Sequence, residues 1–476
     1  MTSTFAGLNI GLSALVANQA GMDVTAQNTA NANTDGYSRQ RVELVASTPY
    51  PVPAFNRSGQ AGQMGTGVTV AAIQRVRDAF VDEQFRQENS VLGQWTARQN
   101  ELSQVETIFP EPSSSGIGNA LSQFWAAWQD LTASPTSTAA MATVVEQGQN
   151  LAAALNSAST QLTNVVSGID YQVTQQVQQV DTLASQVASL NQQIQAVTVS
   201  GQNANDLEDQ RDLALDQLSA IVPIAVQPQQ DGTVTVAIGG VALVSGATAQ
   251  AMTTTPNASG HPVPTWQATG APVASGDQGS LGALLSLRDT TVPAYQAQVD
   301  ALASGVATAV NAAYEGSGGS TPFFTDGTAA TGMPADVTAA NIAVNSTLVG
   351  DPTQVSTLSG ATTTAPFAQI AGAVADLQQA QLSFPGGAQQ TATDFYASLV
   401  GQIGSDSQQA STMQSNQNLI VQHLTNQRQS ESGVSLDEEA TNMILFQRGY
   451  DAASRVITVM DQMLDQLINH TGVVGL

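Results

Sequence analysis

Seven residues near the C-terminal end, Phe446, Tyr450, Ala453, Ile457, Met460, Leu464 and Leu467, recur at alternating steps of four and three. That spacing keeps one apolar stripe on one side of an α-helix and is the pattern of a coiled-coil seam. A second seam stands at the opposite end, where Phe5, Leu8, Leu12, Leu15 and Met22 follow the same steps with Gln19 in the one polar gap. Two amphipathic ends around a conventional middle predict that the ends pair. The chain would then leave and return through nested domains, each built from N- and C-terminal halves. A seam buries only a narrow stripe, whereas ordering about 70 terminal residues costs on the order of 70–140 kcal/mol of backbone entropy. Two readings stay open. The termini are mobile alone and fold against neighbouring copies, or they form an intramolecular coiled coil that holds the chain together.

The chain has 476 residues, about three domains' worth. Hydrophobic residues make up 42%, but charged residues only 10%, against a usual share of about a quarter. Gln, Asn, Ser and Thr supply the polarity instead, a mixture that suits long helices packed through small side chains and surfaces that touch copies of themselves. The formal charge is −25, and all twelve basic residues are Arg. So acidic a chain repels phosphate backbones, which argues against a nucleic-acid partner. Seven of the twelve Arg lie between Arg39 and Arg98. They either balance a helix surface or meet carboxylates on neighbouring copies.

The chain has no Cys, which removes disulfide frameworks, thiolate metal sites and Cys nucleophiles. Met1 to Ala20 lacks a basic start and is interrupted by Asn9, Asn18 and Gln19, so it does not read as a signal peptide. No run of about eighteen apolar residues predicts insertion into a membrane. The three His, His261, His423 and His470, are not spaced for a metal. No GxSxG elbow occurs, and Gly65-Thr66-Gly67 is far short of a phosphate loop. Asp437, Glu438 and Glu439 follow Ser435 at a helix start, where acidic residues and an N-cap are expected. No catalytic, cofactor or metal site is predicted. Trp95, Trp125, Trp128 and Tyr450 read as core residues, and Tyr37 as a hinge residue with either an inter-subunit or a structural role.

Along the chain, Asn28–Tyr37 breaks the first helix with turn-forming residues. Residues 40–72 read as short strands or an extended loop, and helix returns from Ile73 to about Phe109, where Pro110 and Pro112 stop it. Further helices are expected at roughly 116–131 and 136–220, the latter broken near Gly168 and Gly201 into a hairpin of long helices. Alternating apolar residues around Asp231-Gly232 and Gly239-Gly240 predict a β-meander. Helix resumes over 281–314 with a kink at Pro293, then over about 366–382 and 391–430, and the 316–365 segment reads as loops and short strands. The fold class is mainly α with an inserted β domain (α+β, multidomain). Residues 1–35 with 436–476 form a terminal helical assembly domain. Residues 36–221 with 281–435 form an elongated helical domain with short strands, and 222–280 a small β domain.

Asn28–Gln40, NTANANTDGYSRQ, resembles the signature of flagellar rod, hook and hook-associated proteins, an Asn-rich turn leading into Gly-Tyr. Its positions here are Asn28, Asn31, Asn33, Thr34, Gly36, Tyr37 and Arg39. Thr29 stands where that family usually has Ile, and Asp35 where Pro is common. Gly65–Arg86, Asp206–Val222, Gly279–Asp289, Asn341–Pro352 and Ser432–Met443 each resemble segments of the hook-associated protein 1 family, in the same order. Larger members carry an additional β-rich outer domain that the 316–365 segment is too short to hold.

The resemblance implies a structural, non-enzymatic subunit that leaves by the flagellar type III export channel and forms a ring between hook and filament. It implies as partners copies of itself, hook protein and hook-associated protein 3, with assembly through Phe5–Met22 and Phe446–Leu467. It also implies a cytoplasmic export chaperone docked on the C-terminal helix at Phe446, Tyr450, Ile457, Met460 and Leu464. The location implied is the extracellular flagellum, after a transient cytoplasmic stage. The alternatives are another axial subunit, such as hook protein or hook-associated protein 3, or a secreted adhesin or enzyme with coiled-coil ends.

Overall fold

The computed structural model describes residues 5–50, 65–316, 321–327, 337–356, 364–384 and 389–470. Arg57, the His470 side chain and parts of the 316–365 segment lie outside the described residues. In chain order the elements begin with helix α1 (Ala6–Ala30), strands β1 (Gln40–Ala46) and β2 (Val68–Arg75), and helices α2 (Ala79–Ile108), α3 (Ile117–Ala133), α4 (Thr138–Val199) and α5 (Asn205–Ile221). Six strands follow: β3 (Ala225–Pro228), β4 (Val234–Ile238), β5 (Val241–Ser245), β6 (Thr248–Ala249), β7 (Met252–Pro256) and β8 (Pro262–Trp266). Helices α6 (Gly279–Ser286) and α7 (Val292–Gly316) lead to β9 (Phe324–Thr325), β10 (Ala343–Val344), α8 (Ser346–Gly350) and α9 (Thr364–Ala375). The chain ends through β11 (Leu382–Ser383), β12 (Gln389–Gln390), α10 (Ala392–Ser432) and α11 (Leu436–Asp465). The protein is mainly α with small antiparallel sheets.

Side chains fix the helix starts. Asp78 accepts a hydrogen bond from the Phe80 amide at 2.8 Å, Ser137 one from Ala140 at 3.2 Å and Thr391 one from Asp394 at 3.1 Å. Each satisfies an amide that the first helical turn leaves open. Ser435 does the same for α11, with Asp437, Glu438 and Glu439 in its first turn where the helix dipole favours them.

Three segments depart from the sequence-based expectation. The helix α4 is continuous for 62 residues and does not break at Gly168. A Cβ at Gly168 would meet nothing within 4 Å, so this glycine carries only a helix-propensity cost of about 1 kcal/mol. Burial of Leu162, Val166, Ile169 and Val173 around it outweighs that cost. The turn comes at Gly201, whose φ of 80° suits glycine. Residues 73–75 belong to β2, pairing with Gln40–Val42, so α2 starts six residues later than expected. The kink assigned to Pro293 is a π-helical turn at Leu287–Thr291 just before it. That turn carries Arg288 into the interior, where it donates to Asp170 at 3.1 Å and to the Pro262 carbonyl at 2.5 Å.

One continuous core runs along α4. At its N-terminal end Phe124, Trp128, Tyr314, Phe323 and Phe324 pack edge-on or tilted, with ring centroids 5.0–6.3 Å apart. At the other end the four-stranded meander β3-β4-β5-β6 lies against α4. Asn191 of α4 pins it there, donating to the Val234 and Gly246 carbonyls at 2.8 Å and accepting from the Val234 amide at 3.1 Å.

Candidate assembly interface

The helices α1 and α11 pack antiparallel through glycines. A Cβ on Gly21 would lie 2.5 Å from the Phe446 ring, one on Gly11 2.7 Å from Ile457 Cγ1, and one on Gly7 1.9 Å from Met460 Cε. From the other helix, a Cβ on Gly449 would lie 2.3 Å from Asn18 Oδ1. The face of α1 that receives α11 carries Gly7, Gly11, Asn18 and Gly21, each one position before a residue of the apolar heptad (Leu8, Leu12, Gln19 and Met22). Small residues let two backbones come close, so the large side chains of one helix fill the grooves of the other.

The predicted assembly residues therefore divide. Phe446, Ile457, Met460 and Leu464 are half-buried, with the intervening Ala453 buried. On α1, Leu8, Leu15 and Met22 are half-buried beside the seam. Phe5 and Leu12 are 52% and 55% exposed, Tyr450 is at the margin and Leu467 is exposed. Val16, Leu445, Val456, Val459 and Met463, which the apolar periodicity does not single out, are also exposed. For α11 the signal was the residue between the heptad positions; for α1 it was the run of small residues.

The Asn-rich turn is a polar hinge. Asn28 Oδ1 accepts from the Tyr37 hydroxyl and from the Gln40 amide, both at 2.9 Å, while its Nδ2 donates to the Gln40 carbonyl at 2.8 Å. Asn31 donates to Gln27 at 3.1 Å and accepts from Thr34 at 3.2 Å. Gly36, between them and Tyr37, has a φ of 79° that other residues resist. Asn33 is exposed. Burial, followed by the carboxylates of Asp206, Asp209 and Glu439, pushes the Tyr37 hydroxyl above its ordinary range, so it stays a protonated donor. Arg39 pairs with Glu438 at the start of α11, and its amide donates to Ser432 at 2.8 Å. The hinge thus ties both terminal helices to the body.

Below the hinge lies a buried ion network. Asp212 on α5 meets Arg75 at 2.9 Å, Arg86 at 3.0 Å and Arg77 at 3.5 Å. Asp209 also holds Arg75, at 2.7 Å, and Asp216 holds Arg86 at 3.0 Å and Arg428 at 2.8 Å. Arg428 reaches back to Asp82 at 2.9 Å and covers the Phe85 ring at 4.4 Å. Three of the seven clustered N-terminal Arg, Arg75, Arg77 and Arg86, therefore neither line the surface nor wait for another copy. They join β2, α2, α5 and α10 within this chain. The sequence signals were Asp209, Asp212 and Asp216 at steps of three and four on one helix face, and Arg75 and Arg77 two apart.

Burial alone would raise the Asp212 carboxyl, but the guanidiniums of Arg77, Arg75 and Arg86 overcome it and hold the group at about 2. An unfolded Asp titrates near ~3.9, so the unfolded chain takes up this proton first as pH falls. The stabilisation is complete above about pH 4 and lost between about 4 and 2. The urea midpoint of the body is expected to drop across that window, with a shallower slope in Asp212→Asn.

Among the described residues no group of His, Asp and Glu is arranged to hold a metal, and no helix is long and apolar enough to cross a membrane. His261 is engaged with Asp170 at 2.7 Å, and His423 is exposed on α10.

Family models place these features. Residues 102–318 match the flagellar hook-associated protein FlgK helical domain. Residues 8–37 match the flagella basal body rod protein, and 425–470 the flagellar basal body rod FlgEFG protein C-terminal region. Flagellar hook-associated protein 1 of Bacillus subtilis is 34% identical over 508 residues, covering 100% of both chains. The chain belongs to the flagellar hook-associated protein 1 family. The Escherichia coli and Salmonella typhimurium hook-associated proteins 1 are 26% and 27% identical, each over 97% of this chain and 99% of their own. The flagellar hook junction protein FlgK from Burkholderia pseudomallei has the same fold, with a TM-score of 0.60 and 17% identity over 74% of this chain and 100% of its own. As a hook-associated protein 1 family member the chain is an axial structural component of the flagellum and not an enzyme. The two rod-protein matches fall on α1 with its hinge and on the end of α10 with α11, so the helix pair is the part it shares with other axial proteins.

Proposed function

We propose that this chain is the structural subunit that joins the flagellar hook to the filament. The observation that carries the reading is the full-length match to hook-associated protein 1, combined with a terminal helix pair that keeps large apolar side chains in solvent. Residues 1–35 with 436–476 act as the assembly domain, 36–221 with 281–435 as the elongated body, and 222–280 as a small β domain. The assembly domain meets copies of itself, hook protein below and hook-associated protein 3 above, after export through the flagellar type III channel.

Before export, a cytoplasmic chaperone takes the stripe Phe446, Tyr450, Ile457, Met460 and Leu464, an amphipathic helix laid into a groove. Because α1 covers much of that stripe in the folded chain, chaperone docking and α1 pairing exclude one another. Deleting the gene, in a strain with no paralogue, is expected to leave hooks without filaments and filament subunits free in the medium. Electron micrographs of deletion cells with filaments still seated on their hooks would sink the junction reading.

A further inference from the structure

The dipeptide Asp-Gly occurs at Asp35-Gly36, Asp231-Gly232 and Asp326-Gly327. Here a carboxyl side chain can reach the next backbone nitrogen, because glycine puts no Cβ in the way. Two of the three are held. Asp231 accepts from the Thr233 amide at 3.1 Å, the Thr233 hydroxyl at 2.7 Å and Gln195 at 2.8 Å, and the Gly232 amide donates to the Gln229 carbonyl at 3.2 Å. The Gly327 amide donates to the Thr325 hydroxyl at 3.3 Å, and Asp326 is engaged as well.

Asp35-Gly36 differs. The Tyr37 amide closes a turn by donating to the Thr34 carbonyl at 3.2 Å. Gly36 has a φ of 79° in the third position of that turn, after a negative φ at Asp35, which is the type II form. Both residues are exposed. Among the described residues, neither the Asp35 carboxylate, the Asp35 carbonyl nor the Gly36 amide has a hydrogen-bond partner. The peptide unit between them can therefore rotate without losing a bond, since type I and type II turns differ by that rotation and share the closing bond. Rotation brings the Gly36 nitrogen against the Asp35 side chain.

We infer that Asp35-Gly36 is a site of spontaneous isoaspartate formation in the folded chain. The Gly36 nitrogen bonds to Asp35 Cγ, the Cγ–OH bond breaks, and the hydroxyl leaves with the amide proton as water. The resulting succinimide takes up one water. Opening at Cγ regenerates Asp35, whereas opening at the Asp35 backbone carbonyl leaves Gly36 joined through Cγ. Water lost equals water gained, and nothing is oxidised or reduced. The product carries one more methylene in its main chain. That lengthens the turn just ahead of Tyr37, Ser38 and Arg39, whose bonds to Asn28, Asp209 and Glu438 hold the terminal helices to the body.

Ageing the purified full-length protein for weeks in native buffer tests the site. The readout is digestion, after denaturation, with a protease that cuts before Asp but not before isoaspartate, and electron-transfer fragmentation to place the linkage. Isoaspartate at position 35 is expected to exceed that at positions 231 and 326 by about tenfold or more, since those two sites must first release the bonds that hold them. In urea the three sites are expected to converge. Asp35→Glu, whose ring would have six members, should form none. Asp35→Asn, which closes the same ring by losing ammonia, should form it faster. The isoaspartate fraction, separated by chromatography, should exchange its α1 amides faster than fresh protein. No isoaspartate at position 35, equal accumulation at the three sites of the folded protein, or a lead at position 35 that persists in urea would each overturn the inference. Unchanged α1 exchange in the isoaspartate fraction would overturn its effect on the hinge.

Discussion

Asp212→Asn is expected to destabilise the body by about 3–5 kcal/mol, the cost of removing from a buried network the carboxylate that three guanidiniums share. The residue sits among Arg75, Arg77 and Arg86, all three well shielded from solvent. Neutralising it leaves Glu208, Asp209, Asp82 and Asp216 around those three Arg and Arg428, but removes the one carboxylate that Arg75, Arg77 and Arg86 share. The measurement is urea unfolding at pH 7 followed by tryptophan emission. Asp35→Asn, at an exposed position in the hinge, is the control, with a change within about 0.5 kcal/mol. A loss below about 1 kcal/mol for Asp212→Asn would mean that water reaches the network and screens it.

Two alanine substitutions on α1 should move in opposite directions. At Gly21 the new methyl group meets a planar Phe446 ring at 2.5 Å, and the pair has to spread. Overpacking of this kind costs about 1–3 kcal/mol, more than the helix propensity of about 1 kcal/mol that Ala supplies over Gly. At Gly7 the obstacle is the end of the Met460 side chain, which can swing aside, so the propensity gain survives. Hydrogen exchange of α1 and α11 amides should show opening about 5-fold or more faster in Gly21→Ala, and slower than wild type in Gly7→Ala. Equal exchange in both variants would show that the helices do not approach through these glycines.

Much of the architecture was legible because helix and strand periodicities differ and because turn residues punctuate them. The meander was marked by Asp231-Gly232 and Gly239-Gly240, and α11 by Ser435 before three acids. What misled was bulk. Large apolar residues identified a stripe on α1, but a close-packed pair hides its seam in Gly7, Gly11 and Gly21, which carry no hydrophobic signal. The stripe that bulk revealed is partly the one left in solvent. Gly168 misled in the other direction, since one glycine in a well-buried helix costs less than its neighbours contribute. The ion network was invisible as hydrophobicity yet present as spacing, in three Asp on one face of α5.

The uninterrupted course of α4 has a mechanical consequence. At 1.5 Å per residue its 62 residues run for about 93 Å along a single backbone. The aromatic cluster grips one end, the meander grips the other, and Arg288 clamps Asp170 in between. A twist entering at one end reaches the other without crossing a loop, so the subunit behaves as a stiff spar. The helix pair joins that spar through the Asn28–Gln40 turn, held by the Asn28 bonds to Tyr37 and Gln40 and by the pair of Arg39 with Glu438.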